Sequence, residues 1–373
     1  MTKTLSSLLM LTLTWTCVAN AQTESTDPVT RSITRLAQDA IERGDCPGVV
    51  ILAADSKTVR HCVVLGNQQS QPHVVPMGRD TLFDLASITK PVATATAIAL
   101  LQQQGKLSDS DPISKHLPEF TGQGKSQITV KQCLLHTSGL TPDNALSDYS
   151  DDQEQNWDNV CRLPLRSAPG STFAYSDVGF IVLGKLIQRV SGMEQQAFVT
   201  QHLYQPLKMA DTQFNPPAEF KTRIAPTAPA GESWIHGRVH DPRAFRMRGV
   251  AGHAGLFSTA DDLVLLGREL IAASKGQGKV FEKATVQRMF QPVKLDRGSR
   301  SSGWDHSSPY SSNRGNSLSD AAVGHGGFTG TVLWIDPEKD LIYVFLSSRM
   351  HPDGKGAINR HAGKIATLIG DNW

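Results

Sequence analysis

Three short motifs contain residue types that together could carry out nucleophilic acyl transfer. They are, in chain order, Ser87-Ile88-Thr89-Lys90, Tyr175-Ser176-Asp177 and His325-Gly326-Gly327. A serine hydroxyl becomes an effective nucleophile when a neighbouring base removes its proton. A phenol can carry protons, and glycines let a backbone approach a substrate closely. The motifs together predict a hydrolase that works through an acyl-enzyme.

Ser87 and Lys90 have a spacing that suits a nucleophile and its base. If Ser87 opens a helix, the i,i+3 spacing places Lys90 on the same face, one turn away. Pro91 is compatible with this because proline is tolerated in a first turn. Free N–H groups at a helix start also favour developing negative charge. The alternative left open is a helix-capping serine beside a surface lysine.

Tyr175 and Asp177 directly precede or begin a predicted helix. The phenol of Tyr175, facing a lysine, could take and return protons during acylation and deacylation. The alternative is a half-buried tyrosine that anchors a loop. Asp177 is a candidate substrate-binding residue, but it is equally suited to cap the helix that follows.

The glycine-rich motif precedes a predicted strand that begins near Thr331. His325 is a candidate catalytic residue, and Gly326 and Gly327 are candidate substrate-binding positions. The N–H groups of Phe328 and Ser87 could form an oxyanion hole. The alternative is a glycine-rich turn with an exposed histidine.

Other catalytic patterns are missing from the sequence. It contains no Gly-x-Ser-x-Gly, no His-Glu-x-x-His, no Gly-x-Gly-x-x-Gly and no P-loop. His236, His240 and Asp241 have the spacing of a helical metal pair, but Gly and Pro residues in this segment argue against a helix. We therefore predict no metal and no organic cofactor.

Composition and charge indicate an ordinary globular protein. The chain has 373 residues, of which 39% are hydrophobic and 19% charged, and its net charge is +2. Nucleic-acid binding needs clustered positive charge, so no nucleic-acid partner is predicted. A local group of arginines is interpreted as part of a solvated loop: Arg238, Arg243, Arg246 and Arg248. The oligomeric state stays open.

The N-terminus has the pattern of a signal peptide. Lys3 is followed by the apolar stretch Leu8 to Val18 and by Ala19-Asn20-Ala21, with cleavage expected after Ala21. Cys17 raises the alternative of a lipoprotein, but its preceding residues disfavour that processing. We expect residues 1–21 to be removed, no membrane segment after cleavage, and a periplasmic or secreted protein.

The cysteines that remain after cleavage are Cys46, Cys62, Cys133 and Cys161. An even number in an exported protein permits two disulfides, and free buried thiols are the alternative. Cys46 and Cys62 flank a predicted hairpin whose register would place Cys62 near Ile51. A Cys46–Cys62 disulfide is therefore not favoured.

Hydrophobic periodicity predicts an α+β fold. Strands are predicted at 48–54, 59–65, 331–335 and 341–347, and helices at 31–43, 92–104, 130–135, 177–191, 195–203 and 356–369. Residues 141–168, 216–233 and 297–316 are predicted to be irregular. Strands at both chain ends indicate an antiparallel sheet flanked by terminal helices, with a helical insertion lobe. The sheet lobe would comprise about 22–86 and 250–373, the helical lobe about 87–249, with the site in the cleft between them.

The chain resembles the serine β-lactamase-related family. That family includes class C β-lactamases, low-molecular-mass penicillin-binding proteins that act as D-alanyl-D-alanine carboxypeptidases, and lactamase-like esterases. The motifs that carry the resemblance are Leu82 to Lys90, Leu134 to Leu140, Tyr175 to Asp177 and Gly324 to Gly330. Residues 250–258, of sequence VAGHAGLFS, are similar to the branch with penicillin-binding protein 4B-like proteins.

The resemblance implies a β-lactamase/transpeptidase-like fold and a role for each motif. Ser87 would be the acylated nucleophile, Lys90 its base or proton relay, and Tyr175 the second proton carrier. The N–H groups of Ser87 and Phe328 would bind the oxyanion. His325 occupies a position where lactamases usually have lysine.

Two departures from the family pattern affect the expected substrate. Asp177 replaces the usual asparagine, and Gly326 replaces a hydroxyl residue that contacts a substrate carboxylate. Arg314 is a candidate for that lost contact. We expect hydrolysis of D-alanyl peptides of cell-wall origin, or of related small esters and amides. The alternatives are a lactamase-like esterase, a weak β-lactamase, or a penicillin- or peptidoglycan-binding protein without turnover.

Overall fold

The computed structural model describes residues 26–373. The predicted signal peptide at 1–21 and Cys17 lie outside the described residues. Within residues 26–373, no helix combines the length and apolar character needed to cross a membrane.

One large antiparallel sheet forms the centre of the described chain, with two small sheets beside it. The strands are β1 (Gly48–Ala54), β2 (Val59–Gln69), β3 (Val75–Pro76), β4 (Phe83–Asp84), β5 (Gln213–Phe214), β6 (Pro229–Ala230), β7 (Ser233–Trp234), β8 (Leu256–Ser258), β9 (Val293–Leu295), β10 (Gly298–Ser301), β11 (Trp304–Ser307), β12 (Val323–Gly327), β13 (Thr331–Asp336) and β14 (Leu341–Ser347). The order in the nine-stranded sheet is β3-β2-β1-β14-β13-β12-β11-β10-β9. Because β1 pairs with β14, the predicted sheet built from both chain ends is confirmed.

The helices cover both faces of this sheet. In residues 26–373 they are α1 (Pro28–Glu42), α2 (Thr96–Gln103), α3 (Ile113–His116), α4 (Val130–Leu134), α5 (Gln153–Arg162), α6 (Asp177–Ser191), α7 (Gln195–Val199), α8 (Gln205–Leu207), α9 (Pro242–Arg246), α10 (Ala260–Ser274), α11 (Lys283–Phe290) and α12 (Asn359–Asp371). The terminal helices α1 and α12 pack on one face, and α10 and the central helices pack on the other.

The side chains of β14 show how the two faces are separated. Tyr343 and Phe345 point into the core with α1 and α12, whereas Val344 and Leu346 point into the core with the central helices. Successive side chains of a strand point to opposite faces, so a strand covered on both sides must be apolar throughout. All residues of β14 are buried, as this arrangement requires.

Two segments predicted to be irregular contain regular structure. Residues 141–168 include α5, whose buried residues are only Asn156, Trp157 and Val160, so its apolar stripe is narrow. Residues 297–316 include β10 and β11, short strands near the sheet edge whose pairing partners supply the order. Both predictions were wrong because tertiary contacts, rather than a strong local pattern, stabilise these elements.

The cysteines of the described residues are free thiols, with Cys46 and Cys133 buried. In the first hairpin, Cys62 lies opposite Leu52, one residue from the predicted partner Ile51. The difference follows from a register shift at Ala53 and Ala54, close to the turn.

Removing the Phe345 ring should strongly destabilise the protein. Phe345 is 0% exposed, whereas Phe245 is 45% exposed. We expect Phe345→Ala to lower the free energy of unfolding by about 3–5 kcal/mol, through lost burial and a residual cavity. Phe245→Ala, the control, should change it by less than about 0.5 kcal/mol. Urea denaturation followed by circular dichroism measures both; equal losses would contradict the assigned core.

Candidate active site

Ser87 follows a residue with strained backbone geometry. Ala86 has a φ of 46°, in the left-handed region that non-glycine residues rarely adopt. Its N–H donates to Asp84 Oδ1 at 2.8 Å, which helps to hold this conformation. Ser87 lies in the 3₁₀ turn Ala86–Ile88, and a π-helical turn, Lys90–Ala95, follows. Strain and π turns of this kind are frequent at functional sites.

The buried amine of Lys90 connects the Ser87 turn to two distant parts of the chain. Lys90 Nζ lies 2.9 Å from Ser87 Oγ, 2.7 Å from Asp177 Oδ1 and 3.1 Å from the carbonyl oxygen of His253. Burial by itself would lower the pKa of Lys90, but the neighbouring Asp177 carboxylate and Tyr175 outweigh it, so this pKa is raised.

Tyr175 is placed beside Lys90 by an aromatic stack. Its ring lies 4.3 Å from the His136 ring, centroid to centroid, and Lys90 Nζ lies 4.9 Å from its centre. The Tyr175 hydroxyl interacts with the side chains of both Ser87 and Lys90. Burial raises the pKa of Tyr175, which keeps the phenol protonated until a partner draws the proton away.

Two threonines attach the turn between β12 and β13 to the Ser87 turn. Thr329 Oγ1 donates to the Asp84 carbonyl at 2.6 Å, and Thr331 Oγ1 donates to the Leu85 carbonyl at 3.1 Å. The backbone of Phe328 therefore lies in the same cleft as Ser87, as an oxyanion hole requires.

His325 presents a neutral acceptor rather than a cation. Its Nδ1 lies 2.8 Å from the Gly326 carbonyl oxygen. A carbonyl oxygen can only accept, so Nδ1 carries the proton and the lone pair is on Nε2. Burial, together with the charges of Arg300 and Lys90, holds the pKa of His325 well below its ordinary value.

The cleft above Ser87 has a volume of about 490 Å³. Tyr310 and Phe328 border it, with 52% and 57% of their surface exposed. Arg349 and Arg360 contribute positive charge to its lining. The remaining lining residues are Tyr175, Asp305, Asn313, His325, Gly326, Gly327, Gly356, Ala357, Ile358 and Asn359.

The family model described as Beta-lactamase matches residues 33–367. This chain belongs to the beta-lactamase family. The family and its named relatives make the chain a serine hydrolase, and the predicted family and fold are confirmed.

Relatives of this beta-lactamase-family protein act on different bonds, by their names. It is 34% identical over 303 residues to an Escherichia coli (strain K12) protein named "Putative D-alanyl-D-alanine carboxypeptidase", covering 73% of this chain and 70% of that one. It is 33% identical over 312 residues to the Bacillus subtilis (strain 168) N-acetylmuramyl-L-alanine amidase, covering 73% and 68%. The Pseudomonas syringae beta-lactamase/D-alanine carboxypeptidase has a similar fold, with a TM-score of 0.76, 20% identity, and 92% and 98% of the two chains covered.

Asp177 does not cap the helix that it begins in this beta-lactamase-family protein. Ser176 is the cap: its hydroxyl accepts from the Gly179 N–H at 3.0 Å and donates to the Thr141 carbonyl at 2.7 Å. The carboxylate of Asp177 is therefore available to Lys90. This corrects the capping alternative that the sequence left open.

Arg314 does not reach the cleft. Its Nη2 donates to the carbonyl oxygens of Leu318 and Ser319 at 3.2 and 2.5 Å, and its guanidinium lies over Trp334. These contacts hold the segment before β12. The structure therefore offers no support for Arg314 as a carboxylate contact, and Arg349 and Arg360 lie in the cleft instead.

His253 is a residue beside Lys90 that sequence reasoning did not identify, and its partner Asp241 was considered only as part of a possible metal site with His236 and His240. His253 is 1% exposed, and its Nε2 lies 3.0 Å from Asp241 Oδ1. The signal was present, because His253 lies in the VAGHAGLFS stretch, but no role was given to it. Arg300, also fully buried, lies beneath the Tyr175 ring at 5.9 Å and belongs to no recognised motif.

One group in the described residues has ligand atoms close enough for a metal. Asp177, Asp241 and His253 offer atoms within 4.8 Å of one another. Lys90 already brings a cation to Asp177, so we assign no metal there. His236 and His240, the pair considered from sequence, contact other groups: backbone carbonyls and the Thr227 hydroxyl, respectively.

A methyl group at Gly327 should disturb the site. An added Cβ would overlap Thr331 Oγ1 and the Leu85 carbonyl oxygen, the contact that joins β13 to the Ser87 turn. We expect Gly327→Ala to slow labelling of Ser87 by a fluorophosphonate roughly 100-fold. Gly122→Ala is the control, since its Cβ would meet nothing within 4 Å. An unchanged labelling rate in folded Gly327→Ala would contradict this account.

Proposed function

We propose that this chain is an exported hydrolase that forms an acyl-enzyme on Ser87 and acts on D-alanyl peptides of cell-wall origin, or on related small esters and amides. The observation that carries the proposal is the 2.9 Å contact between Lys90 Nζ and Ser87 Oγ in an open cleft. A serine hydroxyl touching a potential base in such a cleft suits nucleophilic catalysis.

Acylation would use groups already in contact. Ser87 Oγ attacks the substrate carbonyl carbon as its proton passes to Lys90, and the N–H groups of Ser87 and Phe328 stabilise the oxyanion. Tyr175, interacting with both Ser87 and Lys90, gives a proton to the leaving group. In deacylation water attacks the acyl carbon, its proton passes back through these groups, and Ser87 Oγ leaves and recovers its proton.

The cleft lining and the names of the relatives support a D-alanyl peptide substrate. Both named relatives act, by their names, on peptides of alanine or of muramic acid linked to alanine. A terminal carboxylate would meet Arg360 on the cleft wall. Asp177, Gly326 and Gly327 would border the peptide backbone.

Export and the division into lobes belong to the same proposal. A cell-wall substrate requires an enzyme outside the cytoplasm, which fits the signal-peptide pattern of residues 1–21 and cleavage after Ala21. We keep the sheet lobe at about 22–86 and 250–373 and the helical lobe at about 87–249, because Ser87 and Lys90 would then lie where the two meet.

An esterase with an apolar acyl group is the second candidate. The exposed rings of Tyr310 and Phe328 at the cleft would pack against an apolar acyl chain. His325 is neutral where lactamases usually have a lysine, and Gly326 has no hydroxyl group. The cleft therefore lacks two contacts to a substrate carboxylate that an efficient β-lactamase would use.

Intact mass after incubation with a fluorescent penicillin tests the nucleophile. We expect an adduct on the wild type and none on Ser87→Ala, whose ester turnover should fall by roughly three to six powers of ten. A stable adduct without release would indicate slow deacylation. An adduct on Ser87→Ala would contradict the proposed nucleophile. An intact antibiotic without any adduct would favour the esterase, with short-chain esters as the next substrates.

Replacing Arg360 should separate the two candidate substrates. If Arg360 binds a terminal carboxylate, Arg360→Ala should raise KM for a D-alanyl-D-alanine peptide by about 10-fold or more while leaving KM for a neutral ester unchanged. Lys355→Ala is the control, because the Lys355 side chain is 82% exposed and does not line the cleft. Equal effects on both substrates would exclude carboxylate binding by Arg360.

A further inference from the structure

Lys90 Nζ donates hydrogen bonds to two oxygens and forms an ion pair with a third. Ser87 Oγ, Asp177 Oδ1 and the His253 carbonyl oxygen surround Nζ at 2.9, 2.7 and 3.1 Å. The carboxylate and the carbonyl can only accept, and the serine oxygen can accept as well. An ammonium in this position has no lone pair with which to take the Ser87 proton.

The charges around Lys90 favour the same resting state. Asp177 forms an ion pair with the fully buried amine, and Asp177 and Tyr175 together outweigh the effect of burial, so the pKa of Lys90 is raised. The Lys90 amine is therefore an ammonium before the substrate binds. A base that already holds its proton must pass one on before it can accept another.

We propose that Asp177 is the proton acceptor of the acylation step, reached from Ser87 through Lys90. The inference rests on the proposed function, because it assumes that Ser87 is the nucleophile. The proposal gives a chemical role to the aspartate that this chain has where the family usually has asparagine, because an asparagine amide could not accept the proton.

The proposed step moves one proton in two stages. The Nζ–H bond that faces Asp177 breaks and an O–H bond forms on its carboxylate, after which the amine turns about its Cε–Nζ bond toward Ser87. The Ser87 O–H bond then breaks, a new Nζ–H bond forms, and Oγ bonds to the carbonyl carbon as the carbonyl electron pair moves to oxygen.

The proton balance closes when the leaving group departs. The electron pair returns from the oxyanion to the carbonyl, and the bond to the leaving group breaks. Tyr175 protonates the leaving group and recovers a proton from Lys90, which recovers one from Asp177. The original ammonium, carboxylate and phenol are restored. In the net reaction Ser87 has lost one proton and the leaving group has gained one.

The other carboxylates near Lys90 are committed to different partners. Asp241 Oδ1 accepts from the N–H groups of Arg243 and Ala244 at 3.0 and 2.8 Å and also contacts His253. Asp143 pairs with Arg243 Nε at 2.8 Å. Asp177 is the carboxylate in contact with the amine, at the first turn of the 15-residue helix α6. The charged and titratable groups near the Lys90–Asp177 pair are Tyr175, His136, His325, Asp143, Asp241, Arg243 and His253.

The pH dependence of Ser87 labelling by a fluorophosphonate tests this proposal. The reagent phosphonylates an activated serine, so it does not require the natural substrate. In the wild type, labelling should persist to acidic pH because the final acceptor is a carboxylate. In Asp177→Asn no carboxylate within residues 26–373 contacts Lys90, so the proton must stay on the amine, and ammonium groups titrate about six pH units above carboxyl groups in water. Burial narrows this difference in pKa between the two groups. Even so, the acid limb of the pH profile, where labelling slows as the pH falls, should move upward by at least about two pH units in Asp177→Asn. Labelling near pH 6 should then be about 100-fold slower than in the wild type.

The competing explanation predicts the opposite shift. If Lys90 were the base and Asp177 only its counter-ion, removing the carboxylate would lower the pKa of Lys90 and move the acid limb downward. A downward shift, or none, in folded Asp177→Asn overturns the proposal. Asp177→Glu keeps a carboxylate and should therefore retain the wild-type acid limb. This variant provides a test even if Asp177→Asn does not fold. An acid limb shifted upward in Asp177→Glu would also overturn the proposal.

Two further variants control the experiment. Asp143→Asn removes a nearby carboxylate that does not contact Lys90, so its acid limb should match that of the wild type. If the acid limb of Asp143→Asn shifted as much as that of Asp177→Asn, the shift would reflect a general loss of negative charge. That result would overturn the specific role of Asp177. Labelling that survives in Ser87→Ala would instead contradict the nucleophile, and with it the proposed function.

Discussion

The buried amine of Lys90 is the constraint on which the site depends. A charged amine removed from water is costly unless it is paired and hydrogen-bonded. Here one partner, Ser87, lies one turn before it, and two come from distant segments: Asp177 at the start of α6 and the carbonyl of His253. The fold must bring these segments together, because leaving out one partner would leave a buried charge or donor uncompensated.

Strand pairing next to Ser87 provides this convergence. The Leu85 N–H donates to the Leu256 carbonyl at 2.9 Å, and the Leu256 N–H donates to Thr89 Oγ1 at 3.1 Å. These bonds place β8, and therefore His253 just before it, against the turn that carries Ser87. The VAGHAGLFS stretch thus has a physical role: it supplies both a pairing strand and an acceptor for the Lys90 amine.

The charges in the cleft are not arranged to hold a substrate carboxylate close to Ser87. His325 is neutral and offers an acceptor, and Asp177 adds a negative charge that Lys90 balances. Positive charge lies further out, at Arg349 and Arg360. This distribution favours substrates whose reacting bond is uncharged and whose carboxylate, when present, lies at some distance from that bond.

The sequence by itself determined the local elements and the reactive residue types. Apolar runs and helical patterns predicted the two long hairpins and α6, because β1, β13 and β14 are buried on both faces and α6 packs its apolar residues into the core. The motifs placed Ser87 and Lys90 together, because residues three apart in a helical turn are neighbours whatever surrounds them. The left-handed φ of Ala86, in contrast, was not predictable, since nothing in its own side chain favours it.

Only the tertiary structure decided which distant groups meet. It assigned the helix cap to Ser176 and so released Asp177 to pair with Lys90, and it directed Arg314 to backbone carbonyls. It also brought the His253 carbonyl to the Lys90 amine. These outcomes depend on the relative placement of α6, β8 and β12, which long-range packing and strand register fix and which no local pattern in the chain encodes.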